Sequence, residues 1–354
     1  MNKRKVRFNV LVFVVLIALL VTSLASAAQK DGPTVKLSVA QGEFDSGQDV
    51  LVTVEISNTT KHTVKILKWY TPADGVEESL FAVTRNGQPV AYTGPIFKRP
   101  AATGKDFISI KSGESITSVV NLGEYYDLSA GGQYEVFYAV ASFNMFNEKG
   151  NAFKLKDVLT SEKISFNAKG GNGKGKPTPP PPPPPGGNTF NACTVEQQDL
   201  LVAAREQAKI YAANSQSYLD ANKQGSRYTT WFGVFSTSRY NTVRNNFTAI
   251  SDAMDNAGIE FNCKCKQNYY AYVYSNRPYE ITVCKVFWQV ATAGTDSKAG
   301  TLIHEMSHFD IVAGTDDVVY GKTGAQNLAS SDPNLAVTNA DSHEYFAENT
   351  PSLP

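Results

Sequence analysis

Residues 304–308 read His304-Glu305-Met306-Ser307-His308, and they lie in an apolar run typical of a buried helix. Side chains four residues apart lie on one face of a helix, so both imidazoles can reach one metal ion while Glu305 projects beside it. Two neutral histidines with an open coordination position suit Zn2+, which lowers the pKa of a water molecule towards about 7. Glu305 can take a proton from that water and pass it to a leaving amine. The pentapeptide therefore predicts a helix with a zinc ion and a general base.

The third ligand decides whether the pentapeptide is a metal site or a chance match between ordinary packed histidines. Carboxylates downstream of the motif are the candidates: Asp317, Glu344 and Glu348. The position six residues after His308 is glycine, which does not fit the three-histidine pattern of the metzincins. Asp317 is the nearest candidate and lies in the octapeptide GTDDVVYG at 314–321, whereas the two glutamates fall on a plausible late helix.

The combination of HExxH with GTxDxxYG resembles the aspzincin metallopeptidases, the group that includes deuterolysin and peptidyl-Lys metalloendopeptidase. The resemblance implies that Asp317 is the third zinc ligand beside His304 and His308. It also implies that Tyr320 donates a hydrogen bond to the oxyanion, where a phenol stabilises the transition state more than the ground state. The adjacent Asp316 is expected to be solvated. The chain is therefore expected to be a zinc metalloendopeptidase with the motif glutamate as general base.

A second acidic feature lies further along the chain, where Asp341 and Glu344 are three residues apart. On a helix their carboxylates share a face and can converge on one cation. The pair resembles the acidic S1′ pocket of the lysine-specific branch of the family, and a lysine ammonium suits a deep acidic pocket. Residues 189–354 contain 12 Lys+Arg and 17 Asp+Glu, an acidic balance that favours a cationic substrate. We expect cleavage on the N-terminal side of lysine. The alternative is a solvated helix face, and His343, off that face, is expected to be structural.

All four cysteines lie in the C-terminal part of the chain: Cys193, Cys263, Cys265 and Cys284. An even number in a secreted chain favours disulfides, whereas a thiolate zinc site usually has two residues between its cysteines. Cys263 and Cys265 are too close to bridge each other easily, which leaves two pairings open. The resemblance to the aspzincins implies pairing of Cys193 with Cys263 and of Cys265 with Cys284.

A glycine- and proline-rich linker at 170–188 divides the chain. Residues 179–185 are all proline, and such a run forms a stiff polyproline II rod without a core. At the N terminus, basic residues, an apolar stretch and small residues up to Ala27 are typical of a signal peptide at 1–27. The remaining segments are 28–169 and 189–354, and the protein is expected to be secreted and extracellular.

The two segments differ in the period of their apolar residues. Segment 28–169 alternates apolar and polar residues, as in Val52, Val54 and Ile56, which predicts an all-β, immunoglobulin-like sandwich. The resemblance implies that this segment is a propeptide. Segment 189–354 shows helical spacing and a capping-box signature at Thr194 and Gln197. The predicted fold class is α+β, with a mainly helical zincin-type catalytic domain that contains a small sheet.

The 33 basic and 33 acidic residues cancel, which argues against nucleic acid or an anionic membrane as the partner. The expected partners of this monomeric enzyme are protein or peptide substrates and its own propeptide, as inhibitor or folding chaperone. Lys98 is a candidate for an inhibitory residue in the S1′ pocket, and self-processing is expected in the linker at Lys169, Lys174 or Lys176. Two alternatives remain open. One is a broad-specificity, deuterolysin-like protease with a retained binding domain, and the other is a secreted, adhesin-like protein without catalysis.

Overall fold

The structure is a computed structural model that describes residues 32–141, 145–147, 158–171 and 185–354. The predicted signal peptide at 1–27 and most of the predicted linker, including Lys174 and Lys176, lie outside these residues. Among the residues described, no helix has the length and apolar character that a membrane span requires.

The N-terminal segment forms β-strands because its apolar residues alternate with polar ones. The strand that contains Val52, Val54 and Ile56 buries every second side chain. Thirteen strands lie within the described part of this segment: β1 (Pro33–Val39), β2 (Glu43–Phe44), β3 (Leu51–Asn58), β4 (Val64–Leu67), β5 (Phe81–Arg85), β6 (Gln88–Val90), β7 (Ile96–Lys98), β8 (Phe107–Ile110), β9 (Ser115–Asn121), β10 (Gly132–Ala141), β11 (Met145–Asn147), β12 (Val158–Thr160) and β13 (Ile164–Ala168).

Twelve of these strands form three sheets over one apolar core. The strand orders are β1-β3-β9, β2-β13-β10-β5-β6 with β12 also paired to β10, and β11-β4-β8. Aromatic side chains fill much of the core, among them Trp69, Tyr126, Tyr134 and Tyr138. The segment is all-β as predicted, whereas its assignment as an immunoglobulin-like sandwich and the domain boundaries stay predictions.

The C-terminal segment is mainly helical, and its helices begin where capping residues stand in the sequence. Thr194 and Gln197 form the predicted capping box of the first helix, and Ser297 caps the fourth. Seven α-helices lie in the described residues: α1 (Val195–Asp220), α2 (Ser226–Phe232), α3 (Thr237–Asn256), α4 (Lys298–His308), α5 (Lys322–Ser331), α6 (Pro333–Ala336) and α7 (Ala340–Glu348). The chain as a whole is therefore a mixed helix-and-sheet protein, as predicted.

A five-stranded sheet accompanies these helices, and its edge strand comes from the N-terminal segment. The other four strands are β14 (Asn188–Asn191), β15 (Ile259–Asn262), β16 (Ala271–Val273) and β17 (Glu280–Val283). The strand order is β14-β15-β17-β16-β7. Strand β7 pairs antiparallel with β16, which aligns Lys98 with Ala271 and Phe97 with Tyr272. The two segments, which the sequence predicts as separate modules, thus share a sheet.

Helices α4 and α7 approach closely at Gly300, and this contact sets the position of the acidic residues on α7. A Cβ atom at Gly300 would lie 2.0 Å from Glu348 Oε1 and 3.0 Å from Glu344 Oε1, so a larger residue would displace the Glu348 carboxylate. Glu348 Oε1 also accepts hydrogen bonds of 2.8 Å from the amide and the hydroxyl of Ser297 at the start of α4. Glu348 therefore joins the two helices and is not placed as a metal ligand.

Two disulfides fasten the sheet to its surroundings. Cys193 pairs with Cys263, which joins the start of α1 to the end of β15. Cys265 pairs with Cys284, which joins the loop before β16 to the end of β17. This is the pairing that the resemblance to the aspzincins implies.

Candidate active site

The HExxH motif lies on α4, a helix whose residues are all buried. His304 and His308 are one turn apart on one face, and their ring centroids lie 4.8 Å apart. Nδ1 of His308 lies 2.7 Å from the carbonyl oxygen of Thr315. A ring nitrogen that donates to a carbonyl carries the hydrogen, which leaves Nε2 with the lone pair that a metal needs.

Asp317 reaches the two histidines because the chain turns back after α4. The amide of Thr315 donates a hydrogen bond of 3.0 Å to the carbonyl of Ser307, and the hydroxyls of these two residues lie 2.6 Å apart. As a result, Asp317 Oδ1 lies 3.1 Å from His304 Nε2 and 3.5 Å from His308 Nε2. The turn after α4 thus brings Asp317 next to His304 and His308.

The donor set of this cluster fits a zinc ion. Ligand atoms of His304, His308 and Asp317 lie within 4.8 Å of one another, and all three residues are buried. Nε2 of each histidine and Oδ1 of the aspartate make no well-directed hydrogen bond to any described residue. Buried polar atoms without a partner are rare in folded proteins, and two imidazole nitrogens with one carboxylate oxygen are typical zinc ligands.

Glu305 lies beside this cluster with a fully buried carboxylate. Neither of its oxygens has a hydrogen-bond partner among the residues that the structure describes. Burial raises the pKa of Glu305 to about 7, against the opposing effect of His304 and His308. A carboxylate with a pKa near neutrality is suited to take up and release a proton.

The predicted acidic pair on α7 lies directly behind His304. Asp341 Oδ1 is 2.8 Å from His304 Nδ1, and Glu344 Oε2 is 3.4 Å from the same nitrogen. Asp341 Oδ2 also accepts a hydrogen bond of 2.6 Å from the amide of Gly321. Asp341 therefore contacts a candidate metal ligand and accepts a hydrogen bond from the loop after Tyr320, and the sequence predicted neither contact.

The acidic pair also contacts an ammonium group from the N-terminal segment. Lys98 Nζ lies 3.4 Å from Asp341 Oδ1 and contacts Glu344 Oε2, and these side chains are at most 1 % exposed. Burial alone would lower the pKa of Lys98, but the two carboxylates hold it well above its usual value. His304 and the acidic pair have ligand atoms close enough to hold a metal ion, but here Lys98 supplies the positive charge.

The hydroxyl of Tyr320 lies among four polar groups. It is 3.0 Å from Asp317 Oδ2 and 3.0 Å from the carbonyl oxygen of Phe97. From the N-terminal segment, Glu78 Oε1 lies 2.7 Å and Arg99 Nη1 lies 2.5 Å from the same hydroxyl. Burial raises the pKa of Glu78 to about 7, although the guanidinium of Arg99 opposes this effect. Tyr320 thus stands between the candidate zinc ligands and the strand that enters from the other segment.

Two further residues of the sequence analysis lie outside this cluster. Asp316 is exposed, as expected of a solvated neighbour. His343 is buried against Phe247, and its ring nitrogens lie 3.0 Å from Asn246 Nδ2 and 3.0 Å from the carbonyl of Asn339. Burial lowers the pKa of His343 to about 4, so it is a neutral residue of the core at pH 7.

The sequence analysis missed several residues that support the site. Asn339 Oδ1 accepts hydrogen bonds of 3.1 Å from the amides of Val318 and Val319, which fixes the loop between Asp317 and Tyr320. An asparagine just before a helix is a usual capping residue, so its position gave a weak signal. The roles of Glu78 and Arg99 had no signal, because charged residues of a β-domain are usually solvated.

Comparisons with known proteins agree with this geometry. Residues 217–348 match the aspzincin family model, described as lysine-specific metallo-endopeptidase. An extracellular protease of Aeromonas hydrophila is 42 % identical over 346 residues, which are 95 % of this chain and 98 % of that protein. A peptidyl-Lys metalloendopeptidase of Armillaria mellea is 35 % identical over 355 residues, which are 93 % of this chain and 95 % of that protein.

Among solved structures, a zinc peptidase from Grifola frondosa is 44 % identical and covers 46 % of this chain and all of its own, with a TM-score of 0.44. The Aeromonas and Armillaria relatives match nearly the whole chain, so the shared ancestry includes the N-terminal segment. The chain therefore belongs to the aspzincin family of zinc metalloendopeptidases.

Proposed function

We propose that this zinc metalloendopeptidase cuts on the N-terminal side of lysine and is made as a secreted precursor that its own N-terminal segment inhibits. One observation carries the proposal: the Lys98 ammonium lies against Asp341 and Glu344, next to the candidate zinc ligands. A buried cation is tolerated only where it is paired. The same pocket can therefore accept the lysine of a substrate.

The charge and the length of its side chain both favour lysine as the residue bound in this pocket. An apolar side chain would leave two buried carboxylates without a counter-charge, and breaking a buried pair costs about 3–5 kcal/mol. A lysine carries its compact charge on a long flexible stem and can deliver it to the base of the pocket. The ring of Tyr270, 4.9 Å from Lys98 Nζ, adds a cation–π contact. The name of the Armillaria relative, a peptidyl-Lys metalloendopeptidase, accords with this choice.

The backbone contacts around Lys98 support the proposal that the bond before the lysine is cleaved. Strand β7 adds antiparallel to the edge strand β16, which is a common way for an extended peptide to bind. The amide of Tyr270 donates a hydrogen bond of 3.0 Å to the carbonyl of Lys98. With lysine in the pocket, the preceding carbonyl, that of Phe97, lies 3.0 Å from the Tyr320 hydroxyl. The bond before the lysine is therefore the one next to the candidate catalytic groups.

In the proposed reaction, side chains of this chain move the proton and stabilise the charge. Zinc held by His304, His308 and Asp317 would supply Lewis acidity and lower the pKa of a water molecule. Glu305 takes a proton from the attacking water and passes it to the amide nitrogen of the leaving lysine. Tyr320 donates a hydrogen bond to the substrate carbonyl oxygen as negative charge develops on it.

Contacts of the N-terminal segment support an inhibited precursor state, because they occupy the acidic pocket and the Tyr320 hydroxyl that a substrate would need. Lys98 fills the acidic pocket, and Glu78 accepts a hydrogen bond from the Tyr320 hydroxyl in competition with the peptide carbonyl. Arg99 contacts the carboxylates of Glu77 and Glu78, which ties the blocking strand to its own segment. A substrate can enter only after β7 has left the edge of the sheet.

These contacts favour the following organisation of the chain. Residues 28–169 act as an inhibitory propeptide and 189–354 as the catalytic domain, joined by the linker at 170–188. A signal peptide at 1–27 directs the precursor out of the cell, which accords with the extracellular relative from Aeromonas. The propeptide is removed by cleavage in or near the linker.

A protein digest tests the specificity. The active enzyme is incubated with a lysine-containing protein, and the new N-termini are identified by mass spectrometry. We expect lysine at these termini, loss of cleavage with a chelator, and at least a tenfold loss of lysine preference in Glu344→Gln, an order-of-magnitude figure for one charged partner. Asp341→Asn together with Glu344→Gln should abolish the preference. Asp316→Asn, an exposed carboxylate near the site, is the matched control and should leave the products unchanged.

Other outcomes would contradict the proposal in distinct ways. New N-termini spread over many residue types would favour the broad-specificity, deuterolysin-like alternative. An absence of chelator-sensitive cleavage would favour the adhesin-like alternative. Unchanged products from the double variant Asp341→Asn, Glu344→Gln would disprove the pocket assignment. They would not contradict the assignment of the chain as a protease.

A further inference from the structure

We infer that Tyr269 and Tyr272 form an aromatic S1 subsite, so that the enzyme prefers a large aromatic residue immediately before the lysine. The inference rests on the proposed lysine-directed cleavage, because it takes Phe97 as the residue before the scissile bond. It adds a second specificity determinant to the acidic pocket.

The ring of Phe97 packs against both tyrosines. Its centroid lies 5.0 Å from that of Tyr269 and 5.0 Å from that of Tyr272, with interplanar angles of 57° and 49°. These values lie within the range of favourable tilted aromatic pairs. Tyr272 stands directly opposite Phe97 in the register of β7 with β16. The residue before Lys98 thus meets an aromatic surface at the edge of the sheet.

Burial of Phe97 arises from this surface and not from the core of its own segment. Phe97 is only 6 % exposed, yet it belongs to none of the three hydrophobic core clusters of the described residues. Its ring neighbours are the two tyrosines and the guanidinium of Arg99, 5.2 Å from the ring centroid. Two of these three neighbours belong to the catalytic segment, so the ring of Phe97 meets that segment as a substrate side chain would.

The backbone of both tyrosines is held within the catalytic segment, while the Tyr269 hydroxyl also donates a hydrogen bond of 2.8 Å to Glu77 of the N-terminal segment. Tyr272 pairs with Thr282 of β17. The carbonyl of Tyr269 accepts a hydrogen bond of 2.9 Å from the amide of Val286. The disulfide between Cys265 and Cys284 closes the same loop. A backbone that is already ordered reduces the entropy that is lost when a substrate ring binds to it.

The alternation of side chains along a strand separates the two determinants. Lys98 enters the acidic pocket on one face of β7, and Phe97 meets the tyrosines on the other. The two side chains therefore meet separate surfaces, and we expect the preference before the cut to add to the requirement for lysine after it. Small or acidic residues at the earlier position would leave the aromatic surface exposed to water.

Two internally quenched peptides test the inference with the active enzyme. They have identical sequences except that phenylalanine in one is replaced by alanine in the other, immediately before a single lysine. We expect kcat/KM to be about tenfold or more higher for the phenylalanine peptide, the scale of discrimination that an apolar pocket supplies. In Tyr272→Val, which keeps a strand-forming residue, the ratio of the two kcat/KM values should fall to about threefold or less.

Phe190→Val is the matched control, because it removes a half-buried aromatic ring from β14 at the opposite edge of the same sheet. It should keep the wild-type ratio. A wild-type ratio near one overturns the inference and needs no variant to fold. An unchanged ratio in a folded Tyr272→Val enzyme also overturns it. If both peptides are cut at a bond other than the one before lysine, the proposed lysine specificity itself fails, and the two failures are thus distinguishable.

Discussion

Lys98→Met keeps much of the side-chain length and removes the charge, so it tests whether the contacts with Asp341 and Glu344 keep the precursor closed. In the closed state the substitution leaves two buried carboxylates without their cation. Loss of one partner from a buried pair costs about 3–5 kcal/mol, and about 1.4 kcal/mol is a factor of ten in an equilibrium. Both carboxylates become hydrated when β7 leaves, so the cost falls on the closed state. The open fraction should rise about 100-fold or more.

The assay is the initial rate at which freshly purified precursor hydrolyses an internally quenched lysine peptide. A gel taken at the same time shows whether the chain is still intact, so that opening is separated from removal of the propeptide. Lys111→Met is the matched control, because Lys111 Nζ lies 3.7 Å from Glu114 but its side chain is 76 % exposed. Exposed pairs contribute about 0–1 kcal/mol, so this variant should stay within a few-fold of the wild type.

A Lys98→Met precursor that is intact, folded and within about threefold of the wild-type rate would refute the reasoning, because that change corresponds to less than 1 kcal/mol. The same holds if Lys111→Met raises the rate as much as Lys98→Met does. Both results would mean that the buried ion pair does not hold the precursor closed.

Three further predictions concern other groups of the site. Glu305→Gln should lower kcat by about 10²-fold or more, as expected for loss of a general base, while the zinc content measured by metal analysis stays that of the wild type. If this variant, secreted alone, still loses its N-terminal segment, another protease carries out the maturation. Glu78→Gln should raise the initial rate of the intact precursor, because the neutral amide competes less well for the Tyr320 hydroxyl; an unchanged rate would show that Glu78 does not contribute to inhibition. His343 has a pKa of about 4 in the folded chain, whereas its usual pKa is about 6.5. Between these values the unfolded chain binds a proton that the folded chain does not, so the free energy of unfolding should decrease as the pH falls from about 6.5 towards 4. Urea unfolding of the chelated protein should show about 2 kcal/mol more loss from pH 7 to 5 in the wild type than in His343→Gln; equal losses would contradict this.

Local patterns in the sequence predicted those features that depend on neighbours along the chain. The four-residue spacing of His304 and His308 fixes their relative position on any helix. The capping box at Thr194 and the alternation around Val54 likewise act within one element, and both elements form where they were predicted. Family resemblance extended the prediction to Asp317, which the structure brings to the two histidines because the chain turns back after α4.

Features that depend on packing between distant elements could be predicted only in part from the sequence. The spacing of Asp341 and Glu344 predicted a shared helix face but not that Asp341 contacts His304, because that contact depends on the approach of α7 to α4 at Gly300. Asn339 was missed for the same reason. Its hydrogen bonds to the loop before Tyr320 exist only when α7 is already in place.

Short-range patterns in the sequence indicated the chemistry: an HExxH pentapeptide on a helix, a carboxylate pair one turn apart and an all-β segment ahead of a helical one. The way in which the two segments meet is seen in the folded structure alone. Strand β7 completes the sheet of the other segment, which brings Lys98 to residues 243 and 246 positions away in the chain. The pairing of two sheet edges depends on backbone hydrogen bonds that every residue can make. No side-chain pattern specifies this pairing in advance. The sequence indicated Lys98 as a candidate for the acidic pocket, whereas the contact of Phe97 with Tyr269 and Tyr272 is visible only in the folded protein.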